Sequence, residues 1–307
     1  MKKRHITRYI AARLTVLLIG LLDRVPLPAA RWVALRLGRA AYWLLPRVRR
    51  TGMANLDLVY GDSLSRREKK RRLRQAVDNI SIVAAEFSRI KRLRGGFLDR
   101  HVVIKGAKRL PRDSGAIIIG AHMANWEWLA PALANRGFKV AEIVRPLSDP
   151  VLNAFVDKTR RSGGIVTIPK QNAARDVVRY LRQGYLVGIL VDQSPRENGV
   201  PAKFLDRECW GTVGPVMLSR ITAAPIFGVA MQRESDGRYT LEVLPQVQLA
   251  QGAVGQTIVE NCQRCQDVVG DAVRQNPGQW LWLHRRWKPQ PRLEQEWQRR
   301  QKKRLTS

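Results

Sequence analysis

Short apolar segments alternate with amphipathic segments of about ten residues through the middle of the chain, and this alternation constrains its fold more than any other feature. The apolar segments predict strands at residues 116–119, 139–144, 165–168 and 186–191, and the amphipathic segments predict helices at 126–135, 150–161 and 172–183. Strands that alternate with helices of this length are typical of βαβ units, in which successive strands lie parallel. The chain is therefore predicted to have an α/β fold, with a largely parallel central sheet flanked by helices.

The segments on either side of this region extend the predicted fold. Further helices are predicted at 50–100 and 256–275, and further strands at 226–232 and 239–244. Ser65 is a plausible N-cap for the helix within residues 50–100. Pro277 would end the helix predicted at 256–275. Asp236-Gly237 lies between the two strands, and this dipeptide favours a β-hairpin.

The charge of the chain predicts an anionic partner. Its 55 Lys and Arg residues against 25 Asp and Glu residues give a formal net charge of +30 at pH 7. Such a balance favours binding to nucleic acid, an acidic protein or an anionic lipid surface, with a merely solvated basic surface as the alternative. Basic residues concentrate near the chain ends, and residues 1–50 contain twelve of them but a single acidic residue, Asp23. A docking surface is therefore predicted outside the central region.

The N-terminal segment has the composition of a helix that lies on a membrane surface. Its longest uncharged apolar run covers residues 14–22, whereas a membrane-spanning helix needs about twenty residues. Residues 29–45 then carry Arg31, Arg36 and Arg39 among tryptophan and leucine residues, as interfacial helices do. We predict that residues 1–50 form an amphipathic, membrane-associated helical segment. A single membrane span and a pair of core helices are the alternatives.

The three cysteines predict neither a disulfide framework nor a metal site. Cys262 and Cys265 are spaced like half of a zinc site, but no second ligand pair lies nearby and the stretch has a helical pattern. So few cysteines favour a reducing compartment. We therefore expect no metal and no cofactor.

The segment between the strand at 116–119 and the helix at 126–135 contains the most informative motif, His122-x4-Glu127. The histidine lies on the turn, and Glu127 lies in the first turn of the helix, where free backbone N–H groups favour a carboxylate. From there Glu127 can reach back to the imidazole, fix its tautomer and leave the other ring nitrogen as a base. Taken alone, the spacing also fits a chance pairing of a loop histidine with a helix-capping carboxylate.

No separate protein nucleophile is evident in the sequence. The chain lacks a Gly-x-Ser-x-Gly segment, and no cysteine pair or serine cluster adjoins a histidine. We therefore predict that the hydroxyl of an acceptor substrate attacks a carbonyl directly, while His122 takes its proton.

Residues 121–133, AHMANWEWLAPAL, resemble the His-x4-Asp/Glu signature of the glycerolipid acyltransferases. They are most similar to the branch that contains the lipid A biosynthesis lauroyl and myristoyl acyltransferases, and the similarity extends from residue 1 to residue 288. Further blocks match this branch in order: Val144-Arg145-Pro146 with Asp149-Pro150, Arg160-Arg161 with Gly163-Gly164, residues 181–184 and 190–193, Gly211-Thr212 with Gly214-Pro215, and residues 279–288. On these blocks the chain is identified as a member of this acyltransferase family.

The resemblance implies a role for each residue that matches a motif of the family. His122 is implied to be the general base and Glu127 its orienting partner. Arg145 is implied to contact an anion, either the developing oxyanion or a phosphate, with a structural salt bridge as the alternative. Asp192 and Gln193, at the end of a predicted strand, would bind the acceptor sugar or shape the pocket, with a turn-stabilising role as the alternative.

Two further positions complete the set of candidates. Asn125 is a candidate substrate contact, although capping of the following helix is the role that its position favours. His284, with Arg285 and Arg286, is predicted to lie in a strip that binds a headgroup or supports the scaffold, and not to be catalytic.

By resemblance, the chain is expected to transfer a fatty acyl group from acyl-acyl carrier protein to a hydroxyl of a lipid A precursor, a secondary acylation at the cytoplasmic face of the inner membrane. The expected partners are the acyl carrier protein, an anionic glycolipid and the membrane surface, and not nucleic acid. The alternatives are transfer to another glycolipid or lysophospholipid, such as a phosphatidylinositol mannoside, and a non-catalytic basic membrane-binding protein. The expected organisation is a membrane-associated segment at 1–50, an acyltransferase domain at 51–290 and a basic tail at 291–307.

Overall fold

We describe the fold from a computed structural model that covers residues 2–171 and 173–305, without the side chains of residues 2–8, 254 and 303–305. Helices make up most of the regular structure. The α-helices are α1 (Lys2–Leu22), α2 (Leu27–Leu44), α3 (Pro46–Tyr60), α4 (Arg66–Phe87), α5 (Gly95–His101), α6 (Trp126–Ala134), α7 (Pro150–Arg161), α8 (Ala173–Arg182), α9 (Gly214–Thr222), α10 (Val254–Gln275) and α11 (Pro291–Leu305).

A central β-sheet lies between the helices. The strands are β1 (Val102–Lys105), β2 (Ala116–Gly120), β3 (Val140–Val144), β4 (Val166–Pro169), β5 (Leu186–Leu190), β6 (Gly199–Phe204), β7 (Arg207–Thr212), β8 (Ile226–Arg233) and β9 (Tyr239–Gln246). Seven of them form one sheet in the order β1-β9-β8-β2-β5-β3-β4, while β6 and β7 form a separate antiparallel pair. All neighbouring strands of the large sheet are parallel except β8 and β9.

The predicted α/β fold with a largely parallel sheet is confirmed. The segments from β2 to β5 agree with the predicted ones to within one residue at each end, and the predicted hairpin is the β8–β9 pair. Asn172, the predicted first residue of α8, lies outside the described residues. The β6–β7 pair was not predicted. Its turn places Leu205 and Asp206 at φ of 51° and 62°, a conformation that usually requires glycine or asparagine, so the sequence carries no ordinary turn signal there.

Helix α4 shows how the sequence sets local structure. The Ser65 hydroxyl accepts a hydrogen bond from the backbone N–H of Glu68, and the Glu68 carboxylate accepts one from the backbone N–H of Ser65. This reciprocal pair satisfies two N–H groups that a helix start leaves free. The predicted N-cap is therefore confirmed. Most residues of the second half of the helix are buried.

A buried carboxylate on α4 joins the N-terminal helices to the central sheet. Glu86 is fully buried and accepts hydrogen bonds from Arg31 Nε at 2.6 Å, Asn125 Nδ2 at 2.5 Å and the Tyr239 hydroxyl at 2.7 Å. Buried carboxylates are tolerated when they are paired and hydrogen-bonded in this way. Helix α2, the turn before α6 and strand β9 therefore share one polar contact.

Helices α1 and α2 present apolar side chains to solvent. Helix α2 packs along α4, and α1 lies against α7. Among the side chains that the structure describes, the exposed large apolar residues of the two helices are Tyr9, Ile10, Leu14, Leu17, Leu18, Leu21, Trp32, Leu37, Trp43 and Leu44. None of the described helices is both long enough and apolar enough to cross a membrane. Membrane association of residues 1–50 stays a prediction.

Candidate active site

Two neighbouring parallel strands place the central residues of the site side by side. Strands β2 and β5 are paired in register up to Gly120 opposite Leu190. Two more residues along each chain bring His122 opposite Asp192, although they are 70 positions apart in the sequence. Both lie at the carboxyl-terminal edge of the sheet, where α/β proteins bind their ligands.

Asp192 holds His122 through both of its carboxylate oxygens. His122 Nδ1 lies 2.8 Å from Asp192 Oδ1, and the backbone N–H of His122 donates to Oδ2 at 3.0 Å. Trp280 Nε1–H also donates to Oδ2, at 2.8 Å. Because an ionised carboxylate only accepts hydrogen bonds, the ring proton is assigned to Nδ1. The lone pair of Nε2 is then free to take a proton.

The electrostatics of this pair favour the charged forms of both groups. Burial lowers the pKa of His122, but the Asp192 carboxylate outweighs that effect and raises the pKa above the ordinary 6.5. Burial raises the pKa of Asp192, but the charge and hydrogen bonds of His122, with the hydrogen bond from Trp280, lower it to about 2. Asp192 is therefore ionised at neutral pH, and an imidazolium that forms during a reaction is stabilised beside it.

Glu127 is paired with an arginine and not with the histidine. Arg160 Nε lies 2.9 Å from Glu127 Oε2, and the terminal nitrogen NH2 of Arg160 lies 2.7 Å from Oε1. Trp126 Nε1–H donates to the same Oε1 at 3.1 Å. The expectation that Glu127 binds the imidazole is therefore wrong in this structure, because the carboxylate at hydrogen-bonding distance from the ring is Asp192. Participation of Glu127 in catalysis stays a prediction. Its charge lies close enough to raise the pKa of His122.

Arg160 also lies beside a second carboxyl group. Its Nε is 3.4 Å from Oε1 of Glu142, on strand β3. Burial raises the pKa of Glu142 to about 7, with Glu127 and Asp157 contributing to the rise and Arg160 opposing it. The Arg160 guanidinium therefore contacts two carboxyl groups, and it forms a bidentate hydrogen bond with Glu127.

The other candidate residues are divided between the site and its support. Asn125 is fully buried and caps α6 by accepting from the backbone N–H of Trp128, so it does not face a substrate. Asp192 is 1% exposed and its oxygens are occupied, which corrects the expectation that it binds an acceptor sugar. The amide nitrogen of Gln193 lies 3.4 Å from each ring nitrogen of His122. A substrate contact by Gln193 stays a prediction.

Arg145 lies exposed at the end of β3, on the same edge of the sheet. Burial of part of its side chain lowers the pKa of Arg145, and the neighbouring Arg196 lowers it further. The predicted anion contact by Arg145 stays a prediction.

The C-terminal strip at residues 279–288 supports the turn that carries His122. Met123 forms an antiparallel bridge with Trp280, and the backbone N–H of Ala124 donates to the Gln279 carbonyl at 3.0 Å. Ala124 has a φ of 49°, which an alanine adopts only when its surroundings hold it there. The strip therefore donates a hydrogen bond to Asp192 from Trp280, and its backbone hydrogen bonds hold the turn at residues 123 and 124 in place.

Two residues of the site had no role in the sequence analysis. Arg160 and Trp280 were noted only as parts of blocks that resemble the family. A polar partner for Asp192 could not be inferred from periodicity, because Trp280 lies 88 positions away.

No group of three or more His, Cys, Asp or Glu side chains among the described residues is arranged to hold a metal ion. Cys262 and Cys265 are buried in α10, and burial raises the pKa of each thiol to about 12. Both therefore stay protonated at neutral pH and resemble small apolar side chains.

A family model described as bacterial lipid A biosynthesis acyltransferase matches residues 1–289. The chain belongs to this family. The predicted family membership is thus confirmed. Transfer of acyl groups to oxygen is the activity class of the family, so the predicted class, an O-acyltransferase, is confirmed as well.

The individual relatives of this acyltransferase are distant. It is 22% identical over 277 residues to the lipid A biosynthesis palmitoleoyltransferase of Escherichia coli strain K12, with 87% of this chain and 88% of that protein covered. It is 21% identical over 295 residues to the lipid A biosynthesis lauroyltransferase of the same organism, with 92% and 93% covered. The crystal structure of the 1-acyl-sn-glycerophosphate acyltransferase from Thermotoga maritima superposes with a TM-score of 0.40 and 14% identity, covering 88% of this chain and 98% of that one.

Proposed function

We propose that this protein transfers a fatty acyl group from acyl-acyl carrier protein to a hydroxyl of a lipid A precursor, with His122 as the general base. The observation that carries the proposal is the hydrogen bond between His122 Nδ1 and Asp192, which leaves Nε2 as the basic nitrogen. The family, and the lipid A acyltransferases that the chain is similar to, support the class of acceptor.

The chemistry needs one base and no covalent enzyme intermediate. The acceptor hydroxyl oxygen forms a bond to the thioester carbonyl carbon while His122 Nε2 takes its proton. The tetrahedral intermediate then collapses, the carbon–sulfur bond breaks, and the departing thiolate takes the proton from the imidazolium. Asp192 stabilises that imidazolium during the step and does not itself gain the proton, since its pKa is about 2. His122 returns to its starting state.

A group of cations at the same edge of the sheet supports an anionic donor or acceptor. Arg145, Lys170 and Arg196 follow strands β3, β4 and β5. Burial lowers the pKa of Lys170, and Arg145 and Arg196 lower it further against the opposing effect of Glu197. Cations that depress each other's pKa mark a region of positive potential. Phosphate groups and the acidic surface of an acyl carrier protein would relieve that repulsion.

The exposed apolar faces of α1 and α2 support a position on a membrane surface. Trp32 and Trp43 are 59% and 65% exposed. They lie on the same face of α2, because the eleven-residue separation between their positions is close to three full helical turns. Arg36 lies 5.2 Å from the Trp32 ring, so basic and aromatic groups adjoin each other as in interfacial helices. We propose that this face docks on the cytoplasmic leaflet of the inner membrane, where a lipid acceptor and a cytoplasmic thioester meet.

A mass-shift assay tests the proposal. The purified protein is mixed with a panel of acyl-acyl carrier protein thioesters and, in parallel reactions, with a tetra-acylated lipid A precursor, a phosphatidylinositol mannoside or lysophosphatidic acid. We expect the lipid A precursor alone to gain the mass of one acyl chain, and His122→Ala to form no product. Acylation of only one of the other two lipids would contradict the choice of acceptor. Equal product from His122→Ala would contradict the choice of base.

A further inference from the structure

A second histidine lies beside the turn that carries His122. The backbone N–H of Leu281 donates to the His122 carbonyl at 3.1 Å, which ties the C-terminal strip to that turn. Three residues later, the His284 carbonyl accepts a hydrogen bond from Asn55 Nδ2 at 2.7 Å. The backbone of His284 is thus fixed from both sides, next to the site.

The hydrogen bonding of His284 assigns its tautomer. Its Nδ1 is buried and has no hydrogen-bond partner among the described residues, while the side chain as a whole is partly exposed. Buried N–H donors without a partner are rarer in proteins than buried acceptors without one, so the unpaired Nδ1 is assigned as the acceptor. The ring proton of a neutral His284 is therefore assigned to Nε2, which makes Nε2 a hydrogen-bond donor and leaves Nδ1 with the lone pair.

The charges that surround His284 keep it neutral. Burial, together with the charges of His122, Arg286 and Lys288, lowers its pKa to about 4, while Asp192 acts in the opposite direction. His284 therefore stays uncharged at neutral pH. The charges of His122 and Asp192 both act on this pKa, and the strip that carries His284 is bound to the His122 turn through Leu281. A second imidazolium there would reduce the basicity of His122, whereas a neutral ring does not.

We propose that His284 is a neutral hydrogen-bond donor of the active site, whose Nε2–H binds the thioester carbonyl oxygen as negative charge develops on it. The inference rests on the proposed acyl transfer and adds a catalytic residue to it, contrary to the sequence-based prediction that His284 is not catalytic. A donor that is already in place contributes more to the transition state than to the ground state, because the hydrogen bond strengthens as the oxygen becomes charged. The expected signature is a change in kcat and not in KM.

Two substitutions separate a hydrogen-bonding role from a packing role. His284→Phe keeps a ring of similar size and removes the donor, and His284→Gln keeps an N–H near the position of Nε2. We expect His284→Phe to lower kcat by about 10²-fold with little change in KM. We expect His284→Gln to retain most of the activity, and both variants to unfold at the wild-type temperature, since Nδ1 has no hydrogen bond to lose. Wild-type activity of His284→Phe, a rise in KM alone, or a joint loss of activity and stability in both variants would overturn the proposal.

A second measurement does not depend on the substrates. The chain has four histidines, so ¹⁵N-histidine labelling gives a simple spectrum, and His284→Phe identifies the signals of His284 by their loss. We expect a neutral ring with its proton on Nε2 at neutral pH. An imidazolium, or a proton on Nδ1, would refute the inference whatever the acceptor is. An inactive wild-type protein with the expected tautomer would instead refute the proposed function.

Discussion

The Asp192 carboxylate binds the side chain and the backbone of His122 at once. One oxygen lies 2.8 Å from Nδ1, and the other accepts from the backbone N–H of His122 at 3.0 Å. Trp280 Nε1–H donates a further hydrogen bond to the second oxygen at 2.8 Å. Because one carboxylate binds both parts of the histidine, the orientation of the ring and the position of the turn are set together. Asp192 therefore determines which ring nitrogen is free to act as a base.

Asp192→Asn is expected to invert the tautomer of His122. The side-chain oxygen of asparagine would stay with the two N–H donors now bound to Oδ2, which turns its NH2 group toward Nδ1. Nδ1 would then accept, and Nε2 would carry the proton and lose its function as a base. By analogy with the same substitution in a serine protease triad, kcat should fall by about 10³- to 10⁴-fold. Steady-state kinetics checks this, and a loss below about tenfold would contradict the assigned role.

The pH dependence of the reaction is expected to follow the raised pKa of His122. Only the neutral imidazole can take a proton, so kcat/KM should fall on the acidic side through a pKa that lies above 6.5. In Asp192→Asn the carboxylate charge is gone while burial remains, and burial lowers the pKa. The acidic limb of the residual activity should therefore move to lower pH. If the acidic limb of the kcat/KM profile stayed at the same pH in Asp192→Asn, a group other than His122 would control it.

Arg160→Gln is expected to leave a charge stranded in a partly buried site. The Glu127 side chain is 11% exposed and would lose its bidentate partner, at a cost of about 3 kcal/mol in the free energy of unfolding. Denaturant unfolding measures this cost, and turnover should fall with it. Adding Glu127→Gln removes the stranded charge, so the double variant should regain part of the lost stability.

Arg161→Gln is the matched control for that experiment. Arg161 is the next residue of α7, its side chain is 57% exposed, and its ion pair with Asp157 lies at the surface. Exposed pairs contribute below about 1 kcal/mol, so this variant should unfold close to wild type. If Arg160→Gln and Arg161→Gln lowered the free energy of unfolding equally, the Glu127–Arg160 pair would contribute no more to stability than a surface ion pair.

Removal of the two exposed tryptophans of α2 is expected to weaken membrane binding. Trp32→Ser with Trp43→Ser removes apolar surface from one helix face, and each change should weaken binding to anionic vesicles by about tenfold. Turnover on a detergent-dispersed acceptor should stay near wild type. Ile221→Ser is the control, because Ile221 is 58% exposed but lies on α9, whose main neighbours are α8, α10 and β2. Equal vesicle binding by all variants would place the docking face elsewhere.

The parts of the site that the sequence predicted are the local ones. His122 and Asn125 lie in a strand–turn–helix unit of a few residues, and both the strand and the helix follow from periodicity and capping. Asp192 was identified as a candidate at the end of β5, but its partner depends on the order of the sheet. Strand β5 lies between β2 and β3, and no local pattern indicates that insertion.

The Glu127–Arg160 pair also could not be predicted, although the two helices that carry it were. The bounds of α7 were predicted correctly, and Glu127 was placed in the first turn of α6. Which partner Glu127 meets depends on how α7 packs against the site, and a competing arginine satisfies a carboxylate better than a neutral imidazole does. Composition and spacing cannot rank such distant partners.

The single-turnover rate of acyl transfer by His122→Gln tests the central claim most directly. Wild type and variant are compared with saturating acyl-acyl carrier protein and lipid A precursor, and vesicle binding is measured in the same samples. Glutamine cannot take a proton from the acceptor hydroxyl, so we expect the rate to fall by about 10³-fold or more while vesicle binding is unchanged. A folded variant that transfers the acyl group within about tenfold of the wild-type rate would show that His122 is not the base.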